Sequence, residues 1–189
     1  MINGVKNLRT FIALEFNKDI KQKIYNTQKM IKDNSLSGRF KYVDNFHLTL
    51  KFLGETEPSA AENIYKELSL RLGDVHPFHA KINGLGCFGK GEKISTIYLK
   101  VEDLSGSLYK TALITEEVCE KNGFKKDKKF VPHVTIAQEV ILNKPFEEIQ
   151  EESKKYFDEN ILFDKVTIMK SEQIQYKRVY TPLYIINLK

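Results

Sequence analysis

Phe46-His47-Leu48-Thr49-Leu50-Lys51-Phe52 sets an apolar residue at every second position, namely Phe46, Leu48, Leu50 and Phe52. Side chains alternate faces along a strand, so the stretch predicts a half-buried β-strand with its apolar residues in a core and His47 and Thr49 together on the other face. The form returns in Pro132-His133-Val134-Thr135-Ile136-Ala137, where Val134 and Ile136 point one way and His133 and Thr135 the other. With four histidines and ten threonines in the chain, two His-x-Thr matches arise by accident in roughly one sequence in sixty. A single such histidine is most often an ordinary half-buried strand residue. Two in the same apolar setting ask for a chemical reason.

Outward from these strands, strand and helix patterns alternate with no long linker, low-complexity run or tandem repeat. Arg9 to Phe16 reads as a strand, and Asn17 as the N-cap of a helix carrying Ile20, Ile24, Met30 and Ile31 to about Asp33. Asn34 to Gly38 ends it, and extended segments follow near Arg39 to Val43 and Phe46 to Leu53. Helices are predicted from about Pro58 to Leu72, Leu104 to Asn122 (stopped by Gly123) and Phe146 to Phe157, with strands near Phe78 to Ile82, Ile94 to Val101, Val134 to Val140, Ile161 to Met169 and Leu183 to Leu188. The order of strands and helices thus occurs roughly twice, with one His-x-Thr in each round.

The 189 residues favour one compact unit or two closely joined lobes, and 41% hydrophobic content supplies an ordinary core. No apolar run approaches the length of a membrane span, and the opening residues lack the apolar stretch of a signal peptide. The expectation is a cytoplasmic protein with no membrane partner. Cys87 and Cys119 belong to no metal-type pair and read as reduced thiols. A net charge of +5 suits a polyanionic ligand such as RNA without requiring one.

Two imidazoles that change charge near neutrality can serve as base and acid in one in-line displacement. Two hydroxyls beside them can donate to the non-bridging oxygens of a phosphate, where charge accumulates. The combination suits attack on a phosphodiester with no metal and no cofactor.

At these residues the sequence resembles the two-histidine (2H) phosphoesterase superfamily, and within it the RNA 2′,3′-cyclic phosphodiesterases, also called 2′-5′ RNA ligases. The resemblance runs over nearly the whole chain, through Arg9-Thr10-Phe11-Ile12-Ala13-Leu14, Asn45 to Gly54, Gly84-Leu85-Gly86-Cys87-Phe88 and Pro132 to Ala137. It implies an α+β fold, bilobal and pseudo-two-fold, with two antiparallel sheets facing a central cleft and helices outside, formed by residues 1–189 as a single domain of two interleaved lobes. It also implies metal-independent hydrolysis of a terminal 2′,3′-cyclic phosphate to a 2′-phosphate, with RNA ends or small cyclic nucleotides as substrate; a monomer is a separate expectation for the chain. By residue, His47 and His133 carry over as the catalytic acid/base pair and Thr49 and Thr135 as phosphate donors; which histidine is the base depends on how substrate lies in a pseudo-symmetric site, and the order preferred here has His133 activating water and His47 protonating the departing 3′ oxygen. The alternatives are an RNA-end binding module with little turnover, or 2′-5′ ligation.

The chain departs from the family pattern where arginines often flank the second motif, for Val131 and Gln138 stand there. Arg39, Lys41, Lys51, Lys128 and Lys129 are the cations available to compensate. Tyr42 is a candidate for stacking on a base, and Phe46 for the core.

Three other signals compete. Gly84-Leu85-Gly86-Cys87-Phe88-Gly89 satisfies G-x-G-x-x-G, but Lys93 to Leu99 reads as another strand rather than the helix that a dinucleotide site needs, which makes a hairpin the expectation. His76 and His79 have metal-like spacing but no supporting cluster. Glu116, Glu117 and Glu120 read as the wet face of a helix, and Glu147, Glu148, Glu151 and Glu152 likewise.

Overall fold

The computed structural model describes residues 6–89, 91–157 and 159–189. It is an α+β fold of two antiparallel sheets. One sheet runs in the order β3 (His47–Thr56), β1 (Leu8–Glu15), β8 (Lys165–Ile174), β9 (Lys177–Asn187). The other runs β2 (Ser35–Phe40), β6 (His133–Leu142), β5 (Lys93–Asp103), β4 (Phe78–Phe88), β7 (Glu159–Phe163). Between the strands come α1 (Lys18–Asp33), α2 (Pro58–Arg71), α3 (Ser107–Lys121) and α4 (Phe146–Ser153). A single apolar cluster, from Ile12 and Leu14 through Leu48, Leu99 and Val134 to Ile168, spans both sheets.

The order β3-β1-β8-β9 matches β6-β5-β4-β7 strand for strand, with β2 added beyond β6. In each half a helix lies between a central strand and a His-x-Thr strand: α3 joins β5 to β6, whereas α1 follows β1 and leads first into β2 of the other sheet before the chain returns as β3. Each of these helices also touches the opposite sheet, α1 on β6 and α3 on β3. β3 and β6 are brought against each other.

The local chemistry explains most boundaries. Asn17 caps α1 by accepting the Ile20 N–H at 2.9 Å, and Ile20, Ile24 and Ile31 are buried beneath it. α3 starts later than its apolar pattern suggests. The Asp103 carboxylate accepts the N–H groups of Ser105, Gly106 and Tyr109, and Gly106 takes φ +80°, so the chain turns before it coils. α4 ends at Ser153 and gives way to a 3-10 turn over Lys154–Tyr156.

Other expectations need correction. The strand expected near Arg39 to Val43 lies instead over Ser35–Phe40, and Val43–Asn45 forms a 3-10 turn. The hairpin expected at the G-x-G-x-x-G run, by contrast, is present: its glycines lie along and just beyond β4, which pairs with β5 and opens no helix. The single strand expected over Ile161 to Met169 is two. At Asp164 the chain leaves the five-stranded sheet for the four-stranded one, and the Asp164 carbonyl accepts the Leu188 N–H at 2.8 Å. The strand expected near Leu183 to Leu188 begins earlier, at Lys177. Here β9 is an edge strand, and Pro182 sits at a register shift opposite Met169, where no donor is needed.

The same irregularity occurs in both His-x-Thr strands. Along β1 and β3, Ala13 opposes Thr49 and Ile12 opposes Lys51, so Leu50 is an extra residue. Along β5 and β6, Tyr98 opposes Thr135 and Ile97 opposes Ala137, leaving Ile136 extra. Each bulge shifts the side-chain alternation by one. Lys51 is therefore 2% exposed and Phe52 51% exposed, the reverse of the expected pattern, and Ala137 is buried while Gln138 faces out. The backbone of the second bulge stays satisfied: the Ile136 carbonyl accepts the Lys41 N–H at 3.0 Å and the buried Gln28 side-chain amide at 2.8 Å.

Candidate active site

The strand alternation ahead of each bulge turns Leu48 and Leu50, or Val134 and Ile136, into the core, and the intervening His and Thr outward. His47, Thr49, His133 and Thr135 consequently line one cleft of about 380 Å³ between the sheets. Arg9, Lys41 and Arg178 share it, and no carboxylate is among its lining residues. Such a site favours an anion.

Each imidazole is oriented from behind. Nδ1–H of His47 donates to the Asn45 carbonyl at 2.7 Å, and Nδ1–H of His133 donates to the Val131 carbonyl at 2.7 Å. A carbonyl can only accept, which places the proton of the neutral ring on Nδ1 and the lone pair on Nε2. The Thr49 hydroxyl donates to that lone pair on His47 at 3.0 Å. Asn45 is buried and also donates its side-chain amide to the Arg178 carbonyl at 2.8 Å, tying β9 to the turn before His47.

Aromatic rings flank both histidines. Phe11 and Tyr180 have centroids 4.7 and 5.2 Å from that of His47, and Tyr98 and Phe88 stand 5.3 and 5.6 Å from His133. Burial pushes the His47 imidazole down to about 4, with Lys41, Lys21 and His133 adding repulsion and the Asn45 carbonyl opposing it. His47 is thus neutral at pH 7 in the free protein.

Of the compensating cations, Lys41 alone lines the cleft. Its Nζ donates to Gln138 Oε1 at 2.8 Å, and burial followed by repulsion from Arg39 and Arg178 lowers its affinity for a proton. Arg39 pairs with Glu139 outside the cleft at 2.7 Å. Lys128 and Lys129 border an adjoining groove. Lys51 is withdrawn: its buried ammonium meets Glu116 at 2.7 Å, Asp127 at 3.1 Å and the Lys125 carbonyl at 2.7 Å. Glu116 accordingly is no member of a wet face, whereas Glu117 and Glu120 form exposed ion pairs with Arg71 and Lys126.

Phe46 is in the core, at 1% exposure, and Tyr42 is exposed beneath Lys177. Cys87 and Cys119 are free thiols. His76 bonds the Lys189 carbonyl, and among the described residues no three His, Cys, Asp or Glu side chains gather in a way that could hold a metal ion. Arg9, Asn45, Arg178 and Tyr180 escaped the sequence reading as site residues. Arg9 faces the cleft one strand from His47, while Arg178 and Tyr180 share one face of the unrecognised part of β9. The two-residue spacing of Arg178 and Tyr180 was the signal available.

Residues 35–175 match the profile of the 2′-5′ RNA ligase superfamily. The chain belongs to that superfamily. Within it, the chain is 28% identical over 131 residues to a protein of Thermotoga maritima named RNA 2′,3′-cyclic phosphodiesterase, covering 69% of this chain and 70% of that one. A Methanocaldococcus jannaschii protein of the same name is 26% identical over 151 residues, 80% of this chain and 82% of its own. Among solved structures, a Thermus thermophilus protein superposes with a TM-score of 0.75 at 22% identity, over 96% of this chain and 98% of that one. E. coli LigT complexed with 3′-AMP gives 0.73 at 21%, over 97% and 99%. These superpositions establish the superfamily fold for the chain. Among its described residues no helix is long and apolar enough to cross a membrane.

Proposed function

We propose that this protein hydrolyses the 2′,3′-cyclic phosphate at RNA ends to a 2′-phosphate, using two histidines as acid and base and no metal. The observation that carries the proposal is the convergence of His47, Thr49, His133 and Thr135 from two sheets on one cationic cleft free of carboxylates. The names of the Thermotoga and Methanocaldococcus relatives support the substrate class.

In the proposed reaction, His133 Nε2 takes a proton from water as the water oxygen bonds to phosphorus. The P–O3′ bond opposite breaks, and the departing oxygen takes a proton from Nε2 of a protonated His47. Phosphate binding supplies the negative charge that lets His47 hold that proton against its burial. Thr49 turns its hydroxyl from His47 to a non-bridging oxygen, Thr135 serves the other side, and Arg9, Lys41 and Arg178 offset the charge.

The test is chromatography of products from a cyclic-phosphate oligonucleotide against authentic 2′- and 3′-phosphates, repeated after exhaustive EDTA. A single 2′-phosphate product and an unchanged rate are expected. Binding without turnover would make the protein an RNA-end module, and joining of the cyclic phosphate to an added RNA 5′-hydroxyl would favour ligation. A rate lost to EDTA and restored by a divalent ion would overturn the metal-free mechanism.

A further inference from the structure

Beside the cleft runs a groove of about 740 Å³, close to twice the cleft's volume, and Thr49, Phe52 and His133 line both. Its floor is β3, one wall is α3 and the other is the loop leading to His133. Tyr109 and Leu113 of α3 and Phe130 line the groove and not the cleft, with the Tyr109 and Phe130 rings edge-on at 5.9 Å. Tyr109 is 53% exposed and Leu113 57%, so the groove is an open apolar surface rather than a closed core.

We propose that the stretch of this groove lined by Tyr109, Leu113 and Phe130 seats the nucleobase of the second nucleotide from the cyclic phosphate, held by stacking and apolar contact. The proposal rests on the function above and names how much of the RNA is gripped. A terminal nucleotide with its phosphate between the two motifs spans the shared residues. Tyr109, Leu113 and Phe130 line the groove but not the cleft, and so meet what lies further along the strand.

Charge fits the same occupant. Exposed Lys128 and Lys129 border the groove where the phosphodiester between the two nucleotides would pass. The groove's carboxylates, Glu116 and Asp127, are both paired with the Lys51 ammonium, which offsets their repulsion of an anionic strand. Stacking on the Tyr109 and Phe130 rings reads a base by its face, with little preference among the four bases. The Lys51 tie also fixes the loop wall, so the groove exists before RNA arrives.

The experiment compares kcat/KM for a nucleoside 2′,3′-cyclic phosphate, a dinucleotide ending in the same cyclic phosphate, and that dinucleotide with an abasic first residue. The intact dinucleotide should exceed the other two by about 10-fold, in the range of one stacked base. In Tyr109→Ala and Leu113→Ala the ratio of intact to abasic dinucleotide should fall toward one. Equal rates for intact and abasic dinucleotides in the unaltered protein would overturn the proposal while leaving the hydrolysis intact. The same ratio in the variants as in the unaltered protein would place the base elsewhere. Absence of turnover on all three substrates would instead count against the hydrolase, and the affinity of the dinucleotide 2′-phosphate, intact against abasic, then decides the groove by the same ratio.

Discussion

Gly86 lies directly under the ring of Tyr98: a Cβ at Gly86 would come within 2.4 Å of the Tyr98 ring. The glycine is present because the ring crosses the strand there, and that ring is one of the two beside His133. Gly86→Ala should push Tyr98 aside, destabilise the fold by about 1–3 kcal/mol and lower kcat by about 10-fold or more. Urea unfolding and single-turnover rates measure the two effects. Adding Tyr98→Ala removes the clash and should recover stability, and a simple sum of the two losses would show that the contact is not the cause.

His47→Ala and His133→Ala should each lower the rate by about 10²–10⁴-fold, with the double variant far from additive. The direction of proton transfer is separable. With sulfur in place of the 3′ oxygen, the leaving group departs without an acid, so His47→Ala should regain most of its loss and His133→Ala none. The opposite pattern would exchange their roles.

His47 gives a pH signature. Its folded-state pKa, about 4, lies below the ~6.5 of an unfolded histidine. Between those values the unfolded chain takes up a proton that the folded ring refuses, so stability should rise with pH across this window and flatten above it. His47→Ala should remove that part of the slope in urea titrations from pH 4 to 7.5. On the reaction side, the free protein protonates His47 only near pH 4. The acid limb of kcat/KM should fall there, and a limb at or above 6.5 would contradict the burial effect.

Thr49→Val and Thr135→Val keep the strand packing and remove one donor each. Turnover should slow by about 10-fold or more per site. Normal rates in both would reduce the threonines to strand formers.

Lys51→Met should destabilise the protein by about 1–3 kcal/mol, because it strands the largely buried Glu116 carboxylate while Asp127 remains mostly in water. Phosphate affinity, measured by calorimetry, should not drop as it should for Lys41→Met. A matching drop would mean that Lys51 reaches the cleft after all.

The period-two alternation over residues 46–50 and 133–136 was enough to put both His/Thr pairs on one face, because it is a local property of a strand. Past the threonines it failed: Lys51 and Phe52 exchange faces at a bulge that depends on the pairing partner β1, which local alternation does not show. For the same reason Lys51 was legible as a cation but not as a buried one. Arg178 and Tyr180 lie in the half of β9 ahead of Pro182, a residue that a strand tolerates at an edge, and being an edge is a property of the whole sheet. The pairing of Gly86 with Tyr98 was likewise invisible, although the glycine itself was conspicuous.

The strand order has a consequence for how the molecule is made. β1 lies between β3 and β8, yet β8 and β9 are the last strands in chain order. More than 100 residues separate the end of β3 from the start of β8, roughly 5–20 s of synthesis at usual elongation rates. For that interval one edge of β1 is unpaired, and His47 lacks both the Tyr180 ring and the Arg178 anchor of Asn45. The five-stranded sheet has all its strands before β8 emerges. The nascent chain can therefore hold His133 in place well before His47, and a ribosome-bound intermediate halted before β8 should be folded on one side, sticky along β1 and catalytically silent.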